Sequence, residues 1–234
     1  MNYNNFEKYK RDGFVVYKFF NKKENKLICN FAVNWFYKLC EIRAEDIYKF
    51  PISKYHLWYK KKSIDHEKIC DAKKRYVYPP LRIQRIIKKN KKIRLFLNKL
   101  GIKKFKMWDD GWGWIGFRLI RPNCNDGYPL SKKAWGKASN VVSCWFPVIG
   151  KSKNDTLTLV PKSNLQTYET YLPKNTKFTK DEPRLKKIIK LELFNPKIKN
   201  NELIIYGNET LHSESNKNLK KTRFNLEFRF NPSS

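Results

Sequence analysis

The chain has 234 residues, of which 41% are hydrophobic and 15% aromatic, so it is long enough and apolar enough to form one folded domain. This composition argues against a disordered protein, and no stretch approaches the roughly 20 apolar residues of a membrane span. The polar first residues lack the apolar segment of a secretory signal. Five cysteines without a CxxC pair predict neither a zinc site nor a disulfide framework. We therefore expect a cytoplasmic protein.

The charge is strongly basic, because 51 Lys and Arg residues face 21 Asp and Glu residues, which gives a net charge of +30. Such a charge is compatible with a polyanionic partner, either nucleic acid or an anionic membrane surface. The basic residues are mostly lysines, and they are spread along the whole chain rather than gathered in one tail. A solvated, lysine-coated surface is therefore the favoured interpretation.

The first half of the chain predicts helices with one early strand. Residues 4–20 contain a short helix, an Asp-Gly turn and an apolar strand. Asn21 is well placed to cap a helix from about 22 to 41, whose apolar residues recur with the helical period.

Residues 42–80 read as irregular, and the two histidines within them, His56 and His66, are interpreted as ordinary surface histidines. Residues 81–99 predict a second amphipathic helix, which Gly101 ends.

The second half predicts strands, since it holds segments rich in β-branched and aromatic residues that are separated by Gly, Asn and Pro. These segments are 111–120, 141–148, 156–160, 202–206 and 222–230. Helices followed by strands predict an α+β fold. We expect one domain, 1–234, with a mainly helical buttress in residues 1–110 and a mainly β core in residues 111–234. Trp114 and Trp145 are expected to pack in this core.

The last strand has two distinct faces, because polar and apolar residues alternate strictly along it. One face carries Arg223, Asn225, Glu227 and Arg229, and the other carries Phe224, Leu226, Phe228 and Phe230. His212, one of three histidines, precedes this strand across a polar segment that is typical of a turn. A histidine that returns beside an arginine above a polar face indicates a carboxylate site, with or without a metal.

Five segments in order resemble the phytanoyl-CoA hydroxylase branch of the Fe(II)/2-oxoglutarate-dependent dioxygenases. They are KRDGFVVYKFF (10–20), FRLIRPNCNDGYPLSKKAW (117–135), VVSCWFPVIG (141–150), NDTLTLVPKSN (154–164), and the pair ELIIYGNETLHSESN and TRFNLEF (202–216 and 222–228). The resemblance implies a double-stranded β-helix (jelly-roll or cupin-like) core buttressed by N-terminal helices. It also implies Fe(II), held by two histidines and a carboxylate, and 2-oxoglutarate, held by an arginine.

Carried over residue by residue, His212 matches the distal iron-binding histidine and Arg223 matches the 2-oxoglutarate arginine, with Asn225 and Glu227 on the same side of the pocket. The family's His-X-Asp pair, however, corresponds to Ser131 and Lys133.

Neither Ser131 nor Lys133 is a usual Fe(II) ligand, and a protonated lysine repels the ion. Both would face the pocket beside Trp135. The nearby carboxylate, Asp126, is expected to lack a histidine partner. We therefore expect the iron site to be lost, while 2-oxoglutarate or another carboxylate can still bind.

Three interpretations remain open. The first, which is favoured, is a dioxygenase-like protein without iron that binds a small anionic ligand through Arg223, Lys133 and His212. The second is an active enzyme on a small metabolite such as a sugar or a nucleotide-linked compound, with other metal ligands or with Lys133 and His212 as acid and base. The third is a lysine-rich module for nucleic acid or a membrane surface on a relic fold. Fold alone does not decide among them.

Overall fold

The computed structural model describes residues 3–107, 115–124, 126–127, 130, 141–150, 156–171, 184–185, 191–199, 201–214 and 219–233. Its helices are α1 (Tyr3–Asp12), α2 (Lys22–Leu39), α3 (Tyr55–Trp58), α4 (His66–Cys70), α5 (Ala72–Arg75), α6 (Leu81–Lys88) and α7 (Lys91–Lys99), with 3-10 turns at Ala44–Lys49, Ile52–Lys54 and Ser163–Leu165. Among the described helices, none is both long enough and apolar enough to cross a membrane.

The described strands are β1 (Phe14–Tyr17), β2 (Tyr76–Val77), β3 (Phe105–Met107), β4 (Ile115–Ile120), β5 (Val142–Ile149), β6 (Leu157–Leu159), β7 (Thr170–Tyr171), β8 (Arg184–Leu185), β9 (Leu203–Gly207), β10 (His212–Glu214) and β11 (Arg223–Pro232). A large antiparallel sheet has the order β1-β9-β5-β11-β4-β2, and β3 also pairs with β11. Strands β10 and β6 form a small second sheet, and β7 pairs with β8. The mixture of helices and antiparallel sheets confirms the predicted α+β class.

One face of the large sheet packs against the helices. Phe224 of β11 lies 5.5 Å, between ring centroids, from Phe36 of α2 and 5.6 Å from Phe117 of β4. All three rings are completely buried. Burying one such side chain contributes about 1.5–3 kcal/mol. This face therefore forms the main hydrophobic core, as the alternation in β11 predicts.

The opposite face of the large sheet packs against the small sheet. A second apolar cluster joins them and consists of Phe14, Trp145, Leu157, Leu159, Ile204 and Tyr206. In the small sheet, His212 pairs with Leu159 and Glu214 pairs with Leu157. Strand β10 is thereby held above the polar face of β11.

Two expectations about the helical half need correction. The single helix predicted over 81–99 is two helices, because the Asn90 side chain accepts hydrogen bonds from the backbone N–H groups of Lys92 and Ile93 and so begins a new helix. Residues 42–80 are not irregular throughout. They form short helical turns that bury Tyr55 and Ile69, together with β2. The predicted cap at Asn21 is confirmed, with Glu24 completing a capping box.

Candidate functional site

The polar face of β11 is buried. Arg223 and Asn225 have no exposed surface, while Glu227 is 5% and Arg229 is 6% exposed. Arg223 is therefore not a surface residue of the strand. Its side chain faces the small sheet. Among the described residues, the carboxylate of Glu214 lies beside it, with Oε1 3.8 Å from Arg223 Nη2.

Glu214 is the centre of one half of the site. Its Oε1 accepts hydrogen bonds from Trp145 Nε1 at 3.0 Å and from Asn225 Nδ2 at 3.2 Å. The guanidinium carbon of Arg223 lies 5.7 Å from the Trp145 ring centroid, a cation–π contact. Trp145 is thus a core residue, as expected, but it also belongs to the site.

Glu227 is the centre of the other half. Arg118 Nε, from the neighbouring strand β4, donates to Glu227 Oε2 at 3.3 Å, and Arg229 Nη2 lies 4.0 Å from the same oxygen. Burial disfavours ionisation of Glu227, but Arg118 and Arg229 outweigh burial and hold its pKa below the ordinary value. Burial raises the pKa of Glu214, and Arg223 offsets part of that effect. Glu227 is therefore the more firmly ionised of the two carboxylates.

His212 lies near the half centred on Glu227, whose charged groups act on it, and is 2% exposed. Its Nδ1 is 2.8 Å from the carbonyl oxygen of Thr210. A carbonyl only accepts hydrogen bonds, so Nδ1 carries the proton and the lone pair is on Nε2. The imidazole also packs on Tyr206, with ring centroids 4.6 Å apart. Burial lowers the pKa of His212 to about 4, so the ring is neutral at physiological pH.

Three oxygen atoms of the site are buried without a hydrogen-bond partner in the described part of the chain: Glu214 Oε2, Asn225 Oδ1 and Glu227 Oε1. All three are acceptors. Leaving such an acceptor unsatisfied costs about 1–3 kcal/mol. The arrangement therefore calls for a group that donates hydrogen bonds.

A second charged cluster lies at Asp126. Arg121 donates from Nε and Nη2 to the two carboxylate oxygens of Asp126, each at 2.7 Å, and His66 Nε2 lies 3.4 Å from Oδ1. Burial opposes ionisation of Asp126, but the hydrogen bonds from Arg121 and His66 hold its pKa well below the ordinary value. Two expectations are therefore wrong. Asp126 does have a histidine partner, and His66, with a side chain only 10% exposed, is not an ordinary surface histidine.

The sequence pattern placed His212, Arg223, Asn225 and Glu227 in one site, and the structure brings these four together. Their proposed roles in catalysis and cofactor binding stay predictions. Ser131, Lys133 and Trp135, and likewise Trp114, lie outside the described residues.

Glu214 and Arg118 belong to this polar cluster but were missed by sequence reasoning. The signal for Glu214 was its spacing of two from His212, which puts both on one face of a strand. Arg118 of β4 is paired across the sheet with Asn225 of β11, two residues before Glu227. No local pattern marks that pairing.

The described residues do not supply the three-ligand iron centre that the resemblance implies. Among the described residues, no group of three or more His, Cys, Asp or Glu could hold a metal ion. His212 supplies one nitrogen, but the matching positions of the other ligands carry the hydroxyl of Ser131 and the amine of Lys133. The fit to 2-oxoglutarate is also poor, because the buried Glu214 carboxyl group already occupies a position beside Arg223 that a ligand's carboxylate would take.

Of the comparisons with known proteins, the one with solved structures finds similar folds. No protein-family model and no curated protein matches the chain. EvdO2 from Micromonospora carbonacea var. aurantiaca aligns with a TM-score of 0.62 at 9% identity over 100% of this chain and 91% of that one. SnoK, a non-heme α-ketoglutarate-dependent carbocyclase from nogalamycin biosynthesis, aligns with a TM-score of 0.59 at 9% identity over 99% and 84%.

The epimerase SnoN, solved with Fe3+, α-ketoglutarate and nogalamycin RO, aligns with a TM-score of 0.58 at 10% identity over 97% of this chain and 82% of its own. This chain has the fold of the non-heme 2-oxoglutarate-dependent oxygenases. The iron and 2-oxoglutarate (α-ketoglutarate) of these neighbours are the cofactors that the sequence resemblance leads one to expect. At such low identity the likeness establishes the fold alone.

Proposed function

We propose that this chain is a phytanoyl-CoA dioxygenase-like protein with a double-stranded β-helix core, that it has lost the iron site, and that it binds a small anionic metabolite beside the polar face of β11. The observation that carries the proposal is the set of buried, unsatisfied acceptors on Glu214, Asn225 and Glu227. They lie among arginines, so donors and acceptors are both presented to one small region.

The chemistry of these groups defines the ligand class. The three acceptor oxygens require hydroxyl or other donor groups on the ligand. Arg118 and Arg229 flank Glu227, and we assign the ligand's anionic group to the positive charge of these two guanidinium groups. The best match is a hydroxylated anion, such as a sugar acid or a sugar phosphate.

Thermal unfolding in the presence of EDTA tests this proposal. Hydroxylated anions should raise the melting temperature. The matched neutral sugars and the non-hydroxylated dicarboxylate glutarate should have little effect, because each satisfies only half of the site. At a ligand concentration 100 times the Kd the stabilisation is about 2.7 kcal/mol. Arg118→Gln should remove the shift, and Arg94→Gln, which changes an exposed arginine of α7, should preserve it.

Two results would contradict the proposal. One is stabilisation by Fe(II) or Mn(II), measured without EDTA, that disappears in His212→Ala, since it would mean that the iron site persists. The other is an absence of any shift across the whole panel of hydroxylated anions.

A second candidate function is an enzyme that acts without metal on the same class of metabolite. It is favoured by the neutral His212, whose Nδ1–H is fixed by Thr210 so that Nε2 can accept a proton. Mass spectrometry of a stabilising ligand after incubation with the protein and EDTA distinguishes the two. An unchanged ligand indicates binding alone, and a product lost in His212→Gln indicates catalysis.

A further inference from the structure

The surroundings of Glu214 bind one oxygen of its carboxylate from three sides. Trp145 Nε1 and Asn225 Nδ2 both donate to its Oε1, and Arg223 Nη2 lies 3.8 Å from the same oxygen. The side chains of Glu214 and Arg223 are both completely buried. These donors come from the large sheet, whereas Glu214 comes from the small sheet opposite. The carboxylate thus reaches the donors from across the site, as a ligand's carboxylate would.

The backbone at Glu214 is held in place from behind. A Cβ atom added to Gly127 would clash with the carbonyl oxygen of Glu214, so the loop that carries Asp126 packs directly on β10. On the other side, Glu214 pairs with Leu157 in the small sheet. The backbone that carries the Glu214 carboxylate is therefore a short strand that is packed on both sides.

We propose that Glu214 is an internal substitute for a ligand's carboxylate on Arg223. The wild-type chain then does not bind 2-oxoglutarate through Arg223, because the Glu214 side chain already fills that buried position. Removal of the Glu214 side chain creates a site for a small carboxylate. The anionic group of the ligand in the proposed function is accordingly assigned to Arg118 and Arg229, not to Arg223.

Chemical rescue tests this inference. Glu214→Ala removes a fragment equivalent to acetate and should lower the melting temperature, since the buried Arg223 guanidinium no longer has the Glu214 carboxylate beside it. Acetate at tens of millimolar should then raise the melting temperature of the variant by about 2–4 °C or more, relative to chloride at the same ionic strength. The wild type should not respond. In EDTA, 2-oxoglutarate should likewise stabilise Glu214→Ala and leave the wild type unchanged.

Three variants control for unspecific effects. Glu214→Gln keeps the volume of the side chain, so acetate has no space to enter and should not rescue it. The double variant Glu214→Ala/Arg223→Gln should also lose rescue, because the guanidinium is gone. Glu202→Ala removes the carboxylate that accepts from the Lys199 backbone outside the site, and acetate should not stabilise it.

The inference is overturned if a folded Glu214→Ala variant gains nothing from acetate or 2-oxoglutarate. It is also overturned if 2-oxoglutarate stabilises the wild type without metal and Arg223→Lys abolishes that effect. This wild-type measurement decides the question even if Glu214→Ala does not fold. The rescue does not require the physiological ligand, so a failure to find a hydroxylated anion would overturn the proposed function and leave this inference standing.

Discussion

The two faces of β11 are built by opposite means. Phe224, Leu226, Phe228 and Phe230 bury aromatic and aliphatic surface against the helices, whereas Arg223, Asn225, Glu227 and Arg229 are buried as a polar network against the small sheet. Apolar contacts are non-directional, so the first face needs only suitable volume and packing. Every group of the second face needs a partner with defined geometry.

This difference indicates where function lies. A buried ion pair contributes little to stability, because the cost of removing both charges from water offsets their attraction, and apolar residues of similar volume often do as well. A strand could therefore be buried on both faces more simply with apolar side chains. Among the described residues, the polar face leaves acceptor oxygens of Asn225 and Glu227 unsatisfied, and Glu214 of β10 opposite leaves a third, which is better explained by ligand binding than by folding.

The largest expected effect comes from breaking the apolar face. Phe224→Ala should reduce the free energy of unfolding by about 3–5 kcal/mol, because it opens a cavity between Phe36 and Phe117. Urea denaturation at pH 7 measures the loss. The variant should still respond to the same ligands as the wild type under conditions in which it is folded. A large loss of ligand response with little loss of stability would contradict the division of roles between the two faces.

The division between the faces was predictable from sequence because it depends on local order. A period of two in β11 fixes which side chains share a face, and an Asn followed three residues later by Glu at Asn21 and Glu24 fixes the start of α2. The start of α7 has a similar local cause, because Asn90 is its N-cap. The helical period of apolar residues continues across Asn90, however, and therefore predicted one helix where the structure has two.

The partners within the site were not predictable in the same way. Glu214 and Arg223 meet only because two separate sheets face each other, and His66 and Asp126 come from distant parts of the chain. Such pairs depend on tertiary packing, and neither spacing nor composition records them. Sequence reasoning therefore identified Arg223 as a carboxylate-binding residue but missed the carboxylate that the chain itself supplies.

An intermediate effect is expected for the buried imidazole of the polar face. The pKa of His212 falls from its ordinary value of 6.5 to about 4 in the folded protein. Protons therefore bind the unfolded chain more tightly, and stability is lost as the pH falls from 6.5 towards 4, by about 3 kcal/mol in total. Urea denaturation of the wild type and of His212→Gln across this range measures the difference.

In His212→Gln this contribution should be absent, so the stability of the wild type minus that of the variant should decrease by about 3 kcal/mol between pH 6.5 and pH 4. His56 also has a pKa lowered by burial, but it is present in both proteins and cancels in the comparison. A difference between wild type and variant that stays constant with pH would mean that His212 is not a buried neutral group.

The smallest expected effect is that of Asn225→Leu, which extends the apolar character of β11 to its polar face. The change removes the hydrogen bond to Glu214 Oε1, which favours unfolding by about 1 kcal/mol. It also removes the unsatisfied Oδ1, which works in the opposite direction. The net change in unfolding free energy should therefore be within about 1 kcal/mol. The free energy of ligand binding should weaken by more than this, because an acceptor for a ligand hydroxyl is lost.

A variant that is clearly destabilised but binds the hydroxylated anion as tightly as the wild type would instead make Asn225 part of the protein's own packing.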